Sequence, residues 1–318
     1  MELVYPDVMK QLLYLTLVVF WLVMMTSEVQ AASGKPYAIA GKSWYVASAD
    51  GRRVYFERNK NKVSSIASLS KMMAILVIVE EGLKLDAKTV LTDEDWALAA
   101  GGSRTRLKRN VAYTNRDLLH AALLGSDNRA VLGLGRAVGL NSQALTAKMN
   151  ARARAMGLKS TSFADPTGIA HENVSTPYEV SRILKAASEN ALIAEVMQKV
   201  TYTVVEKPSN RRIVYNNTNI LTRNGPHRKV LAGKTGFNTS AGYCVAVMLD
   251  LPGLGPTAFV VMGSSGMYQR FADVWKLIGN IENLQAREKR EKTMREAVAR
   301  RQEAAQPKNR VRPQPAQK

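Results

Sequence analysis

The chain has 318 residues, 46% of them hydrophobic and 22% charged, a balance that excludes a disordered protein and is enough for a sizeable core. Its 45 Lys and Arg against 26 Asp and Glu give a net charge of +19, which points to an acidic partner, and a single cysteine excludes a disulfide framework. His120, His171 and His227 share no metal-ligand spacing, so no metal and no cofactor is expected.

From Leu12 to Met25 the chain is apolar except for Thr16, with Lys10 before the run and Val29-Gln30-Ala31 after it. That order of charge, apolar stretch and small residues predicts a secretory signal peptide over 1–31. The run is shorter than the ~20 residues a membrane-spanning helix needs. Export to the periplasm or cell envelope turns the positive charge away from nucleic acid, which is not expected as a partner. Cys244, inside the apolar run Tyr243 to Leu249, reads as a buried structural thiol.

Two strand-like runs, Ser43 to Ala49 and Arg53 to Glu57, flank Asp50-Gly51, a strong hairpin signal. Ser68 to Gly82 is apolar all round in its middle and ends on glycine, so it predicts a buried helix. Ser68 and Lys71 lie three apart at its start, one turn from each other on the same face. A serine hydroxyl needs a neighbouring base to become a nucleophile, and burial depresses a lysine pKa far enough to supply one. A helix start also aims the Ser68 N–H outward, where it can stabilise an oxyanion. Taken singly, Ser-x-x-Lys is equally what a capping serine and a solvated lysine would give.

The stretch from about 92 to 200 is mostly helical. Thr114 and Asp117 form a capping pattern before Leu118, a helix over 142–156 closes at Gly157, and Asp165-Pro-Thr-Gly168 is a turn. Thr176-Pro177-x-Glu179 starts a helix through about Ala187. Ser126-Asp127-Asn128 falls on a turn. Read as chemistry, Ser126 relays a proton to a leaving group and Asn128 binds a substrate amide; read as structure, the triplet caps a helix. Ser188-Glu189-Asn190 has the same pattern, and capping explains it fully.

After Val200 the pattern turns to strands: Thr201 to Val205, Lys229 to Thr235, Gly242 to Leu249 and Thr257 to Met262. The turn Leu251 to Pro256 makes the last two an antiparallel hairpin. Lys234-Thr235-Gly236 closes one strand. A strand edge binds extended peptide through its backbone, and Gly236 removes the side chain that would block approach. Lys234 and Thr235 then suit a carboxylate, and the Phe237 N–H a second oxyanion contact. Phe271 to Ile281 closes the domain as a helix. Strands at both ends with a helical insert predict an α+β fold, an antiparallel sheet flanked by helices with an all-helical lobe inserted. One catalytic domain is expected over 32–284. A basic tail over 285–318, with 11 basic and 4 acidic residues from 286 onward, reads as a solvated helix fraying into disorder.

Ser-x-x-Lys, Ser-x-Asn and Lys-Thr-Gly in this order are the recognised set of penicillin-binding proteins and class A β-lactamases. Residues from about 36 to 282 resemble the low-molecular-mass penicillin-binding proteins, the serine D-alanyl-D-alanine carboxypeptidase family, and most of all its D-alanyl-D-alanine endopeptidase subgroup. The likeness extends to Ile66-Ala-Ser-Leu-Ser-Lys-Met-Met73, Met149-Asn-Ala-Arg-Ala, Phe163-Ala-Asp-Pro-Thr-Gly168, Asn173-Val-Ser-Thr176 and Gly233 to Cys244. The resemblance implies a β-lactamase/transpeptidase-like fold. It also implies Ser68 as acyl-ester nucleophile, Lys71 as proton acceptor, Ser126 as proton relay and Lys234 as carboxylate binder. Peptidoglycan would be the partner, and β-lactam antibiotics covalent inhibitors. Ser70 stands where relatives usually carry threonine. A class A β-lactamase or a non-catalytic peptidoglycan-binding protein are the alternatives. The basic tail suggests electrostatic association with membrane or wall polymers.

Overall fold

In the computed structural model, which describes residues 38–207, 209–223 and 229–305, the Asp50-Gly51 turn joins β1 (Ser43–Ser48) to β2 (Val54–Arg58). Gly51 takes the φ of +73° that such a turn demands. The signal segment expected over 1–31 and the tail beyond 305 lie outside the described residues.

A short strand, β3 (Ser64–Ser65), leads into a 3-10 turn, Ala67–Ser70, and then α1 (Lys71–Glu80). Ser68 therefore stands on the tight turn before the α-helix and not on its first turn. Met72 to Ile78 are at most 3% exposed, so α1 is wrapped on every side, as its continuous apolar run requires. The helical lobe follows. It holds β4 (Lys88–Val90), α2 (Asp93–Leu98), β5 (Ala112–Thr114), α3 (Asn115–Leu124), α4 (Asn128–Ala137) and α5 (Ser142–Ala155). β4 pairs with β5 at its edge. The chain returns through β6 (Val174–Ser175), paired with β3, into α6 (Pro177–Glu189) and α7 (Ala191–Gln198). The caps are those the sequence promised. Thr114 Oγ1 accepts the Asp117 N–H at 3.1 Å, Thr176 Oγ1 accepts that of Glu179 at 3.1 Å, and Asn190 Oδ1 that of Ile193 at 3.1 Å.

β7 (Thr201–Glu206) pairs with β8 (Arg211–Asn216) in a hairpin of its own rather than joining the main sheet. β9 (Lys229–Asn238), β10 (Gly242–Leu251) and β11 (Gly255–Ser264) complete a five-stranded antiparallel sheet of order β2-β1-β11-β10-β9. The first strand of the domain thus pairs with the last, Ser43 opposite Met262. Ala246 and Met248 join the core with α1, α3 and α6. Strand alternation sends Val245 and Val247 to the opposite face, where α8 (Gln269–Ala305) lies against β10 and β11. Asp273 fixes that helix: its fully buried carboxylate accepts the N–H groups of Ala40 and Gly41, each at 3.0 Å, and the Ser264 hydroxyl at 2.9 Å. α8 runs well past Ile281, where the closing helix was expected to end. Among the described residues no helix is long and apolar enough to cross a membrane.

Candidate active site

Ser68 is half-buried on its 3-10 turn, and the Lys71 Nζ lies 2.8 Å from its Oγ. Helical side chains lean toward the N-terminus, which carries the lysine back over the turn that holds the serine. Lys71 is 0% exposed. Burial pulls its ammonium down to about 7, against the opposing fields of Asp165 and Asp127. Nζ also donates to the Thr167 carbonyl at 2.5 Å, which holds it beside Ser68. A pKa near 7 keeps the neutral amine, whose lone pair can take the serine proton, populated at neutral pH.

The turn itself is strained. Ala67 has φ +47°, unusual for a residue with a side chain and a cost of about 1–3 kcal/mol. The Ser70 hydroxyl holds it by donating to the Ala67 carbonyl at 2.8 Å. Two glycines then let backbone approach where a side chain would collide. A Cβ on Gly168, which has φ +81°, would stand 2.0 Å from the Ala67 oxygen and 2.8 Å from the Ser68 nitrogen. One on Gly236 would come within 2.8 Å of the Ile66 oxygen and 3.3 Å of the Ser68 nitrogen. Both therefore let their own backbone pack directly against the turn that carries Ser68. Asp165 shapes the loop that brings Gly168 there, accepting from Thr167 N at 2.6 Å, Gly168 N at 2.9 Å and Ala170 N at 2.8 Å. Asn173, 0% exposed, ties this loop to the turn through Ser70 Oγ at 3.1 Å.

Ser126-Asp127-Asn128 forms the facing wall, and its structural reading as a helix cap is what the geometry displays. Asp127 caps α4 by accepting the Arg129 N–H at 3.0 Å, while Ser126, at φ +58°, is turned out of the helical path. The other Asp127 oxygen accepts the Thr105 hydroxyl, and the Tyr215 hydroxyl at 3.3 Å. The Tyr215 ring lies so close to Gly125 that a Cβ there would meet it at 2.2 Å, and Arg106 stacks on the ring at 4.3 Å. Asn128 is 2% exposed and its Oδ1 has no partner, an acceptor that a substrate amide would satisfy.

Lys234 joins the two walls. Its ammonium, 1% exposed, donates to Ser126 Oγ and to the Thr235 carbonyl, each at 2.9 Å. Burial, then the charges of Lys71 and Arg270, hold its pKa well below 10.5, and a carboxylate bound beside it would oppose that shift. Thr235 Oγ1 donates to Thr218 Oγ1 at 2.8 Å. The Lys234-Thr235-Gly236 triplet lies inside β9, which continues two residues beyond it, not at its end. Phe237 follows, 52% exposed. Arg270, from the first turn of α8, donates to the Gly236 and Cys244 carbonyls at 3.1 and 3.3 Å and steadies that edge. Cys244 is fully buried and burial pushes its thiol up to about 11, so it is inert at neutral pH.

Hydrogen bonds and close packing bring the expected residues together: Lys71 beside Ser68, Lys234 beside Ser126, and Gly236 against the Ser68 amide. Asn128 lies two residues on from Ser126, and Thr235 and Phe237 flank Gly236 on β9. Sequence reasoning missed Tyr215 and Arg270, and it gave Thr167 and Asn173 no role beyond the segments that contain them. Asp165-Pro-Thr-Gly168 was visible as a turn but gave no sign of reaching Ser68. The β9 edge suits an extended peptide, and the serine beside a neutral amine suits attack on a carbonyl.

The sequence description of the D-alanyl-D-alanine carboxypeptidase family matches residues 28–266. A D-alanyl-D-alanine endopeptidase of Pseudomonas aeruginosa is 31% identical over 271 residues, 83% of this chain and 86% of that protein. One of Escherichia coli is 30% identical over 248 residues, 75% and 76% of the two chains. The crystal structure of the Streptomyces K15 DD-transpeptidase has a TM-score of 0.69 at 25% identity, over 76% of this chain and 97% of that one. With the three motifs gathered into one cleft on a shared fold, the chain belongs to the D-alanyl-D-alanine carboxypeptidase family of serine DD-peptidases.

Proposed function

We propose that this peptidase cleaves D-alanyl bonds of peptidoglycan stem peptides or cross-links through an acyl-enzyme on Ser68. The carrying observation is the wholly buried Lys71 amine 2.8 Å from the Ser68 hydroxyl. Ser68 Oγ attacks the D-alanyl carbonyl while its proton passes to Lys71 Nζ. The N–H groups of Ser68 and Phe237 receive the oxyanion, and Lys234 with Thr235 holds the substrate carboxylate. As the C–N bond breaks, the proton taken up by Lys71 returns through the Ser126 hydroxyl, which donates one proton to the leaving nitrogen as it receives another; water then hydrolyses the ester and frees Ser68. Asn128 orients the acyl side by its free amide oxygen.

β-Lactams, which mimic the D-alanyl bond, acylate the same serine. A β-lactamase must also place a carboxylate to activate the deacylating water. The loop over 165–172 offers Asp165, whose oxygens are taken by loop N–H groups, and Glu172, exposed and paired with His171 at 3.3 Å. This favours slow deacylation and hence a peptidase. Fluorescent penicillin should label the wild type durably and Ser68→Ala not at all. Mass spectrometry of digested muropeptides then separates the two activities: monomers from cross-linked dimers mean endopeptidase, loss of one alanine from pentapeptides means carboxypeptidase. Rapid turnover of the penicillin, or labelling that persists in Ser68→Ala, would refute the assignment.

The apolar run before Ala31 supports export to the periplasm, with the catalytic domain over 32–284. The exposed basic side chains of α8 over 286–302 support electrostatic association of the tail with anionic lipid or wall polymer. Deleting 286–318 should then abolish the salt dependence of envelope association; an unchanged dependence would remove the tail from the account.

A further inference from the structure

Beside the cleft, aromatic side chains lie open to solvent. The Phe237 ring is stacked on that of Tyr243 at 4.2 Å and 25°. Arg270 packs against the Tyr243 ring at 5.5 Å and so fixes the pair to the start of α8. Just before that helix, Tyr268 is 70% exposed and Met267 51%. The register that sets Tyr243 opposite Ser264 puts these residues at one end of the sheet. It is the end where Gly236 approaches the Ser68 amide. Apolar groups gathered at one place on a surface mark a binding area.

The peptide bound in the cleft matches these rings poorly. A D-alanyl stem carries methyl, carboxylate and amide groups and at most a thin, amine-tipped methylene chain, with no flat apolar face to lay on an aromatic ring. The glycan strand to which the stem is joined does carry one, since each pyranose ring presents a flat face of C–H groups bordered by hydroxyls. Tyrosine suits both, its ring taking the C–H face and its hydroxyl the polar edge. We infer that Tyr268, with the Phe237–Tyr243 stack and Met267, forms a platform that seats a sugar ring of the glycan strand while its stem peptide occupies the cleft. This rests on the DD-peptidase reading of the cleft and adds a polymer-binding subsite to it.

The test uses the full chain and glycan strands stripped of their stem peptides by an amidase. Tyr268→Ala should weaken binding to stripped glycan about fivefold, the loss expected for one aromatic contact, and slow digestion of intact sacculi to a similar degree. Tyr268→Phe should keep most of the binding. Acylation by fluorescent penicillin and hydrolysis of soluble stem peptides should be unchanged in both. With so exposed a side chain the fold is not at risk, and Met267→Ala should give a smaller loss of the same kind. Equal glycan binding by wild type and Tyr268→Ala, or an equal loss on soluble peptides, would overturn the platform. Glycan binding that depends on Tyr268 in a chain that penicillin never acylates would instead sink the catalytic reading and leave the platform standing.

Discussion

On one wall of the cleft Lys71 and Lys234 are sunk among packed residues, at 0% and 1% exposure, while on the other the Ser126–Asn128 turn hangs from hydrogen bonds. The first wall is made by α1 and β9, and what it contributes is dielectric: it removes water from two amines and lowers their pKa values. The second is made at the start of α4, and what it contributes is position. Asp127 is held by Thr105 and Tyr215 on one oxygen and holds the helix start with the other. A change on the buried wall should therefore alter how the rate depends on pH. A change on the hydrogen-bonded wall that keeps the Asp127 charge should alter the rate and leave the pH dependence where it was.

The largest break in that comparison is Lys71→Arg. A guanidinium keeps its proton throughout the working range, so the substitution locks a cation in place and removes the base. Acylation by penicillin should fall by between about 10² and 10⁴, the worth of a general base. In the wild type the active form is the neutral amine, and its pKa is about 7. Below that pH the ammonium dominates, so acylation should fall about tenfold for each further unit of acidity; above it the rate should level off. Stopped-flow acylation from pH 5 to 9 measures both. A flat profile, or an arginine variant as fast as wild type, would show that Lys71 is not the proton acceptor.

Most of the buried wall was legible in the sequence because its parts are local. Ser68 and Lys71 are separated by one turn, so their spacing puts them on one face, and Lys234-Thr235-Gly236 is a contiguous triplet visible on a single strand. The sheet was legible too, since the apolar strands at the two ends of the domain had to find each other. The hydrogen-bonded wall was less so. Tyr215 reaches Asp127 across 88 residues, and Lys71 reaches the Thr167 carbonyl across 96, neither of which any local pattern encodes. Tyr215 sits on β8, a strand hidden by Arg211, Arg212 and Asn216, whose inward positions are only Ile213 and Tyr215. The end of α8 was misjudged because the apolar periodicity stops near Ile281 while good helix formers continue to Ala305.

The finer test of the same comparison is Tyr215→Phe. It deletes one 3.3 Å hydrogen bond to Asp127 but keeps the ring that fills the space over Gly125 and stacks under Arg106. Asp127 keeps its bonds to Thr105 and to the α4 N–H groups, so the turn should loosen without collapsing. A hydrogen bond of this kind is worth about 1 kcal/mol net, which sets an expected fall in kcat on stem peptides of about fivefold. The charge of Asp127 is untouched, so the field it exerts on Lys71 stays and the pH midpoint should remain near 7. Steady-state kinetics across the pH range reads both quantities in one series. A midpoint displaced by a full unit with kcat preserved would mean that Tyr215 acts through the electrostatics of the buried wall, and that the two walls are a single device.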